Sequence, residues 1–125
     1  MKKFFFLLLA FIPFLVFTQS NDSAWVVNNY TKTETMVPMR DGSKLFTTIY
    51  APKDNTEKHP ILLERTPYSC APYGENIFRS YWNSPRMYFL KENYILIIQD
   101  VRGRWMSEGV FEDVRPYIPN KKPAQ

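Results

Sequence analysis

Apolar and polar positions alternate along two stretches of the chain, Thr33 to Met39 and Lys44 to Ala51, the second rich in β-branched and aromatic residues. Alternation sends successive side chains to opposite faces, so both stretches read as strands. Arg40-Asp41-Gly42-Ser43 lies between them. Asp-Gly suits the left-handed backbone that a type I′ turn needs at both central positions, which predicts a β-hairpin. After the polar loop Pro52 to Pro60, Ile61-Leu62-Leu63-Glu64-Arg65-Thr66 reads as a short strand stopped by Pro67. Tyr94 to Gln99 is instead apolar at consecutive positions, the pattern of a strand buried inside a sheet. Between these two strands, apolar residues recur at helical spacing but are interrupted by Pro85. That predicts an irregular turn followed by a helix over about Arg86 to Glu92. Residues 19–32, with Trp25 and Tyr30, are expected to form an extended approach to the hairpin.

Hairpin, strand, helix and buried strand form the opening of a mixed sheet whose later strands run parallel with helical crossovers, so the fold class is α/β. Beyond Asp100 the chain runs to Gln125 with no further strand or helix pattern and no internal repeat. Tyr94 to Gln99 is therefore expected to lack one sheet neighbour. At 125 residues the chain suffices for one small domain, whereas a fully wound sheet usually takes about twice that length. Residues 33–125 accordingly read as a partial domain.

Met1-Lys2-Lys3 followed by the apolar run Phe4 to Phe17 has the form of an export signal. The run is shorter than the roughly 18 to 20 residues of a bilayer-spanning helix, and Thr18-Gln19-Ser20-Asn21-Asp22 follows at once. Residues 1–18 are thus expected to be a signal peptide rather than a stable membrane anchor, which directs the chain to the periplasm or outside the cell. Without Lys2 and Lys3 the chain keeps 14 basic against 12 acidic groups, scattered rather than striped. That balance excludes nucleic acid as a partner. With 45% hydrophobic and 17% aromatic residues the chain is built to fold around a core. Cys70 is the only cysteine, so no internal disulfide helps it.

Cys70 and the sole histidine, His59, suggest a nucleophile pair, but a free cysteine more often acts as a small buried hydrophobe, and that reading is preferred. The two residues supply no zinc-ligand set, so no metal is expected. Asp100 and Arg102 follow the buried strand, where active-site loops of open α/β sheets gather. A structural ion pair or turn network is the reading preferred for them over substrate contact. Glu108, Glu112 and Asp113 read as a solvated acidic face rather than an acid–base pair.

Three blocks carry a family resemblance: Val37-Pro38-Met39-Arg40-Asp41-Gly42 with Leu45 and Thr47; Arg65-Thr66-Pro67-Tyr68; and Gln99-Asp100-Val101-Arg102-Gly103-Arg104 with Ser107-Glu108-Gly109. Together they resemble the N-terminal catalytic domain of the cocaine esterase and Xaa-Pro dipeptidyl-peptidase-like α/β-hydrolases. Within that group, Arg115-Pro116-Tyr117 and Pro119-Asn120 look closest to the α-amino acid ester hydrolases and glutaryl-cephalosporin acylases. The resemblance implies serine acyl transfer on a small ester, amide or peptide substrate, with no cofactor. It also implies that Tyr68 donates its phenolic O–H to the oxyanion. None of the seven serines has the Gly-x-Ser-x-Gly frame of a nucleophile elbow, and the sole histidine lies upstream of where the family places one. The chain alone is therefore expected to be an inactive N-terminal fragment lacking the catalytic Ser, Asp and His. The alternative is a small exported, non-catalytic binding module that uses Trp25, Trp82 and Trp105 as exposed aromatics.

Overall fold

The computed structural model describes residues 22–80, 82 and 84–113. The expected signal peptide, residues 1–18, and the tail motifs Arg115-Pro116-Tyr117 and Pro119-Asn120 lie outside the described residues. The order of elements is α1 (Asp22–Asn29), β1 (Tyr30–Pro38), β2 (Lys44–Pro52), β3 (Ile61–Thr66), α2 (Ser84–Lys91) and β4 (Ile95–Asp100). The four strands form one sheet in the order β1-β2-β4-β3. β1 pairs antiparallel with β2, with Thr35 opposite Thr47. β2 pairs antiparallel with β4, and β4 pairs parallel with β3 through α2.

The hairpin forms where the alternation places it, but not through a type I′ turn. Gly42 N–H donates to Met39 O at 3.0 Å and Met39 N–H to Ser43 O at 2.8 Å, which closes a three-residue loop. Only Gly42, at φ +86°, adopts the left-handed backbone there. This is a turn closed by a glycine bulge, so Asp41 is spared the positive φ that a type I′ turn would impose on it.

The region expected to be extended, 19–32, is helical over Asp22–Asn29 and enters the sheet at Tyr30. Eight residues are too few for helical periodicity to stand out, and short helices owe their stability to packing rather than propensity. Val26 is fully buried, Trp25 packs at 6.1 Å against Tyr30, and Ser23 Oγ–H donates to Arg79 O at 2.6 Å.

α2 begins at Ser84, two residues earlier than Pro85 suggested. A proline in the first turn costs nothing, because its missing N–H has no intrahelical partner there. The helix ends on Asn93 at φ +58°. Tyr94 N–H reaches back to Phe89 O and Asn93 N–H to Leu90 O, while the Tyr94 and Phe89 rings pack at 5.1 Å. That is a Schellman ending with its hydrophobic contact, asparagine standing where glycine is commonest.

The sheet is covered on one face. Tyr30, Phe46, Tyr50, Leu96 and Ile98 point to the side where Met87 and Leu90 of α2, Trp82 and Cys70 complete the core. Tyr30 O–H donates to Leu90 O at 2.6 Å, and Arg86 holds Glu64 of β3 in a bidentate pair, which ties α2 to both edges of the sheet. On the opposite face Ile49, Ile95 and Ile97 are half-buried, while Ile61 and Leu63 of β3 are 62% and 51% exposed. Among the described residues, Ile61 and Leu63 are the part of that face left open to solvent. The expectation that Tyr94 to Gln99 lacks a neighbour is corrected. β4 is paired on both sides, and the edge left open among the described residues belongs to β3. A crossover inserts the later strand between two earlier ones, which a linear reading of strand order misses.

Lys32 lies on the covered face with a fully buried side chain. Its Nζ donates to Pro72 O at 2.5 Å and to Gly74 O and Ile77 O at 2.9 Å, and it pairs with Glu34 at 2.8 Å. Glu34 in turn accepts the Gly74 N–H. This cage clamps the loop after β3 onto β1. Breaking a buried pair by removing one partner leaves an uncompensated charge, so Lys32→Met is expected to lower the unfolding free energy by about 3–5 kcal/mol in urea denaturation. A loss within about 0.5 kcal/mol, the scale of a neutral surface change, would mean that the cage does not hold the loop.

Candidate active site at the carboxyl end of the parallel strands

β3 and β4 end side by side, with Thr66 opposite Asp100. In open α/β sheets this carboxyl end is where ligands bind. Two chain segments leave it, Pro67–Ala71 from β3 and Val101–Gly109 from β4, and the two are knitted together. Val101 N–H extends the ladder to Thr66 O at 3.1 Å. The indole N–H of Trp105 donates to Pro67 O at 2.8 Å, with Arg104 Nε at 3.4 Å from the same oxygen. Thr66 Oγ1 accepts the Tyr68 N–H at 3.0 Å. Ser69 then turns left-handed at φ +85°, so Tyr68 sits at the apex of a tight reversal.

The Tyr68 ring is 85% exposed, and no described group bonds its hydroxyl. A residue so exposed shields little of the sheet end. Beneath it, Asp100 is fully buried. Its Oδ1 accepts the Cys70 N–H at 2.8 Å and its Oδ2 lies 3.4 Å from the Tyr73 hydroxyl, which is 2.9 Å from Ser69 Oγ. Cys70 is buried as expected. Burial, reinforced by the Asp100 carboxylate, pushes its thiol up to about 11.

The segment after β4 makes two successive turns, Arg104 N–H to Val101 O and Ser107 N–H to Arg104 O, and returns to the start of β2. β4 reaches only as far as Thr47 of β2, which leaves Phe46 and Lys44, paired with β1 on one side, without a strand partner on the β4 side. Ser107 Oγ accepts the Phe46 N–H at 2.9 Å and donates to Asp100 O at 2.8 Å. Glu108 accepts the Lys44 N–H through Oε2 and donates its own N–H to Lys44 O. Gly103 is required where it stands: a Cβ there would lie 2.2 Å from Phe111 N, and its φ is +67°.

Arg102 bridges to Asp41 in the hairpin turn, Nη1 to Oδ2 at 2.8 Å and Nη2 to Oδ1 at 3.1 Å. The hydrogen bond from Arg102 is the main reason the Asp41 carboxyl lies below its ordinary value. The structural reading of Asp100 and Arg102 is therefore the observed one, although each has its own partner. Glu108, Glu112 and Asp113 are exposed, and Glu108 adds the backbone bond to Lys44 that the acidic-face reading missed. Glu112 and Asp113 line a shallow cavity of about 270 Å³ with Pro67, Val101, Arg102 and Phe111. His59 stands at the opposite end, its Nε2 2.8 Å from Asp54 O. The six residues of β3, about 20 Å of strand, separate it from Cys70, so the two form no pair. Trp82, expected as an exposed binding aromatic, is a core residue at 4% exposure, and Trp25 is half-buried, which leaves only Trp105 open.

An antiparallel hairpin leading into a parallel pair, with its knotted loops at the carboxyl end, is the front of an α/β-hydrolase sheet. The sequence profile described as X-Pro dipeptidyl-peptidase (S15 family) matches residues 41–121. The chain is 34% identical over 93 residues to the cocaine esterase of Rhodococcus sp. (strain MB1 Bresler), covering 72% of this chain and 14% of that protein. It therefore belongs to the X-Pro dipeptidyl-peptidase (S15) family of hydrolases. Among solved structures it is similar to an α-amino acid ester hydrolase, at 38% identity and a TM-score of 0.57 over 67% of this chain and 14% of that one. It is also similar to an aminopeptidase from a marine sediment archaeon, Thaumarchaeota archaeon, at 36% identity and a TM-score of 0.58 over 68% of this chain and 14% of that one. The chain thus spans about one seventh of the length of these relatives.

Ser107 belongs to the third block but drew no role from sequence, and the sequence marks Trp105 only as an exposed aromatic of the alternative binding module, not as the brace of Pro67. A left-handed tryptophan and a bridging serine leave no periodic signal. A thiol held near 11 carries about 100-fold less thiolate at pH 8 than one at its ordinary value of 9.0. Iodoacetamide is accordingly expected to alkylate Cys70 at least about 100-fold more slowly in the native chain than in urea, with reactivity rising only as pH climbs toward 11. Equal rates in the two states would mean that the Pro67–Ala71 loop does not bury the thiol.

Proposed function

We propose that this chain supplies the N-terminal part of an exported serine hydrolase that cleaves ester or amide and peptide bonds by acyl transfer. In this reading Tyr68 donates a hydrogen bond to the oxyanion, and the nucleophilic serine, its histidine and the orienting aspartate come from sequence outside this chain. The observation that carries the reading is the Tyr68 hydroxyl, unbonded among the described residues and presented on a loop braced by Thr66, Trp105 and Asp100. A phenol is a neutral donor, and fixing it before reaction removes the cost of orienting it as charge builds on the carbonyl oxygen. Family membership and the apolar sheet face left uncovered among the described residues both support a larger catalytic unit.

The relatives are named as an esterase, an amino acid ester hydrolase and an aminopeptidase. A small acyl compound with an ester or amide bond is the substrate class proposed here, with no cofactor in the chemistry. Export rests on the Lys2-Lys3 and Phe4 to Phe17 pattern, and mass analysis of exported protein is expected to place the mature N-terminus near Gln19. Retention of Met1 would overturn that part.

The catalytic test joins this chain in frame to the C-terminal remainder of the α-amino acid ester hydrolase. In an active fusion, Tyr68→Phe is expected to lower kcat by about 10²- to 10³-fold with little change in KM, the usual cost of losing one oxyanion donor. An unchanged kcat would remove Tyr68 from the mechanism. The 125-residue chain by itself is expected to give no acylation burst with an activated ester, and a burst would overturn the assignment of the nucleophile to other sequence.

A further inference from the structure

We propose that Asp100 is the positioning residue for Tyr68: its buried carboxylate holds the Pro67–Ala71 loop from below and thereby sets the direction of the phenol. The proposal rests on the reading of Tyr68 as oxyanion donor and adds the group that keeps the donor in place.

Asp100 is fully buried, and no salt bridge to Lys, Arg or His is found for it among the described residues. A buried carboxylate is costly unless its oxygens are satisfied, so what they bond indicates what the residue is for. Oδ1 accepts the backbone N–H of Cys70, two residues beyond Tyr68, at 2.8 Å. Oδ2 faces the Tyr73 hydroxyl at 3.4 Å, and that hydroxyl lies 2.9 Å from Ser69 Oγ, which also accepts the Ala71 N–H at 3.0 Å. Every described side-chain contact of the carboxylate thus leads into the loop that carries Tyr68.

The loop needs such a hold. Ser69 is left-handed at φ +85°, a conformation that costs a non-glycine residue free energy and persists only where its surroundings impose it. On the upstream side Pro67 O is fixed by Trp105, and Tyr68 N–H by Thr66 Oγ1. On the downstream side the Cys70 N–H has only the Asp100 carboxylate. Without it Ser69 is free to relax to negative φ, and the Tyr68 ring swings with it. Asp100 is in turn pinned by its own backbone, since its carbonyl accepts Ser107 Oγ–H and its strand position pairs with Thr66.

The test uses the full 125-residue chain with a single fluorine on the Tyr68 ring, followed by ¹⁹F NMR together with amide exchange at Cys70, Leu96 and Ile98. The parent is expected to give one sharp fluorine line and a protected Cys70 amide. In Asp100→Ala the line should split or broaden and Cys70 exchange should rise by about 10- to 100-fold, the scale of a lost charge-assisted bond, while Leu96 and Ile98 stay protected. Asp100→Asn keeps an acceptor for the Cys70 N–H and should restore the single line. An unchanged fluorine line in Asp100→Ala overturns the proposal, as does an unprotected Cys70 amide in the parent. Loss of Leu96 and Ile98 protection in both variants overturns it as well, by making Asp100 a support of the sheet and not of the loop. None of these readouts depends on catalysis. If Tyr68→Phe leaves the fusion's kcat unchanged while Asp100 controls the fluorine line, the oxyanion assignment fails and the positioning role stands.

Discussion

β4 is hydrogen-bonded on both sides, antiparallel to β2 and parallel to β3, and the rest of the molecule is arranged around satisfying what that double pairing begins. Because β4 runs only to Asp100 while β2 starts three residues earlier than their shared register, the polar groups of Lys44 and Phe46 need partners from elsewhere. A buried backbone N–H without a partner costs as much as a lost hydrogen bond. The chain meets that need by doubling back through Ser107 and Glu108. The return path in turn lays Trp105 and Arg104 against Pro67 and so braces the turn that follows β3.

Seen in this way, the family blocks are one structure rather than three. Asp41 of the first pairs with Arg102 of the third, Pro67 of the second accepts the Trp105 indole, and Thr66 and Asp100 face each other at the strand ends. The segments are held at one end of the sheet by side chains whose partners lie 30 to 64 residues away along the chain. Among the side chains that face solvent at this end are the Tyr68 phenol, the Trp105 ring and the carboxylates of Glu112 and Asp113.

Much of the sheet was legible from pattern alone. The hairpin strands alternate, and β4 is apolar at consecutive positions because it is paired on both sides, with Leu96 and Ile98 in the core and Ile95 and Ile97 half-buried on the other face. α1 was missed because eight residues show too little period, and its hold comes from Val26 and Ser23 meeting distant partners. The turn at Asp41-Gly42 was read one residue too tight, since a single left-handed glycine serves where two positive φ angles were expected. The position of β4 between β2 and β3 could not be read, because nothing local in a strand states which neighbours it will find. At the site, Asp100 and Arg102 were legible as structural residues but not their partners. Lys32 was hidden by type: a lysine in a polar stretch gives no sign of a side chain that will be fully enclosed by carbonyl oxygens.

The crossing of Phe111 over Gly103 carries a consequence for how this family can vary. The backbone of Val110 and Phe111 occupies the space where a side chain at position 103 would stand, and a Cβ at Gly109 would lie 2.7 Å from Arg102 Cγ. The path from Gly103 to Phe111 is therefore a closed loop of set length. An inserted residue there would push Ser107 and Glu108 out of register with β2, whereas the loop 53–60 at the other end of the sheet is exposed along most of its length and bonded to its neighbours at its two ends, Lys53 to Asn29 and Pro60 to Ile95. Insertions and deletions among homologues should accumulate between β2 and β3 and be purged between Asp100 and Phe111, so that the spacing of these residues acts as a ruler as much as their identities act as a signature.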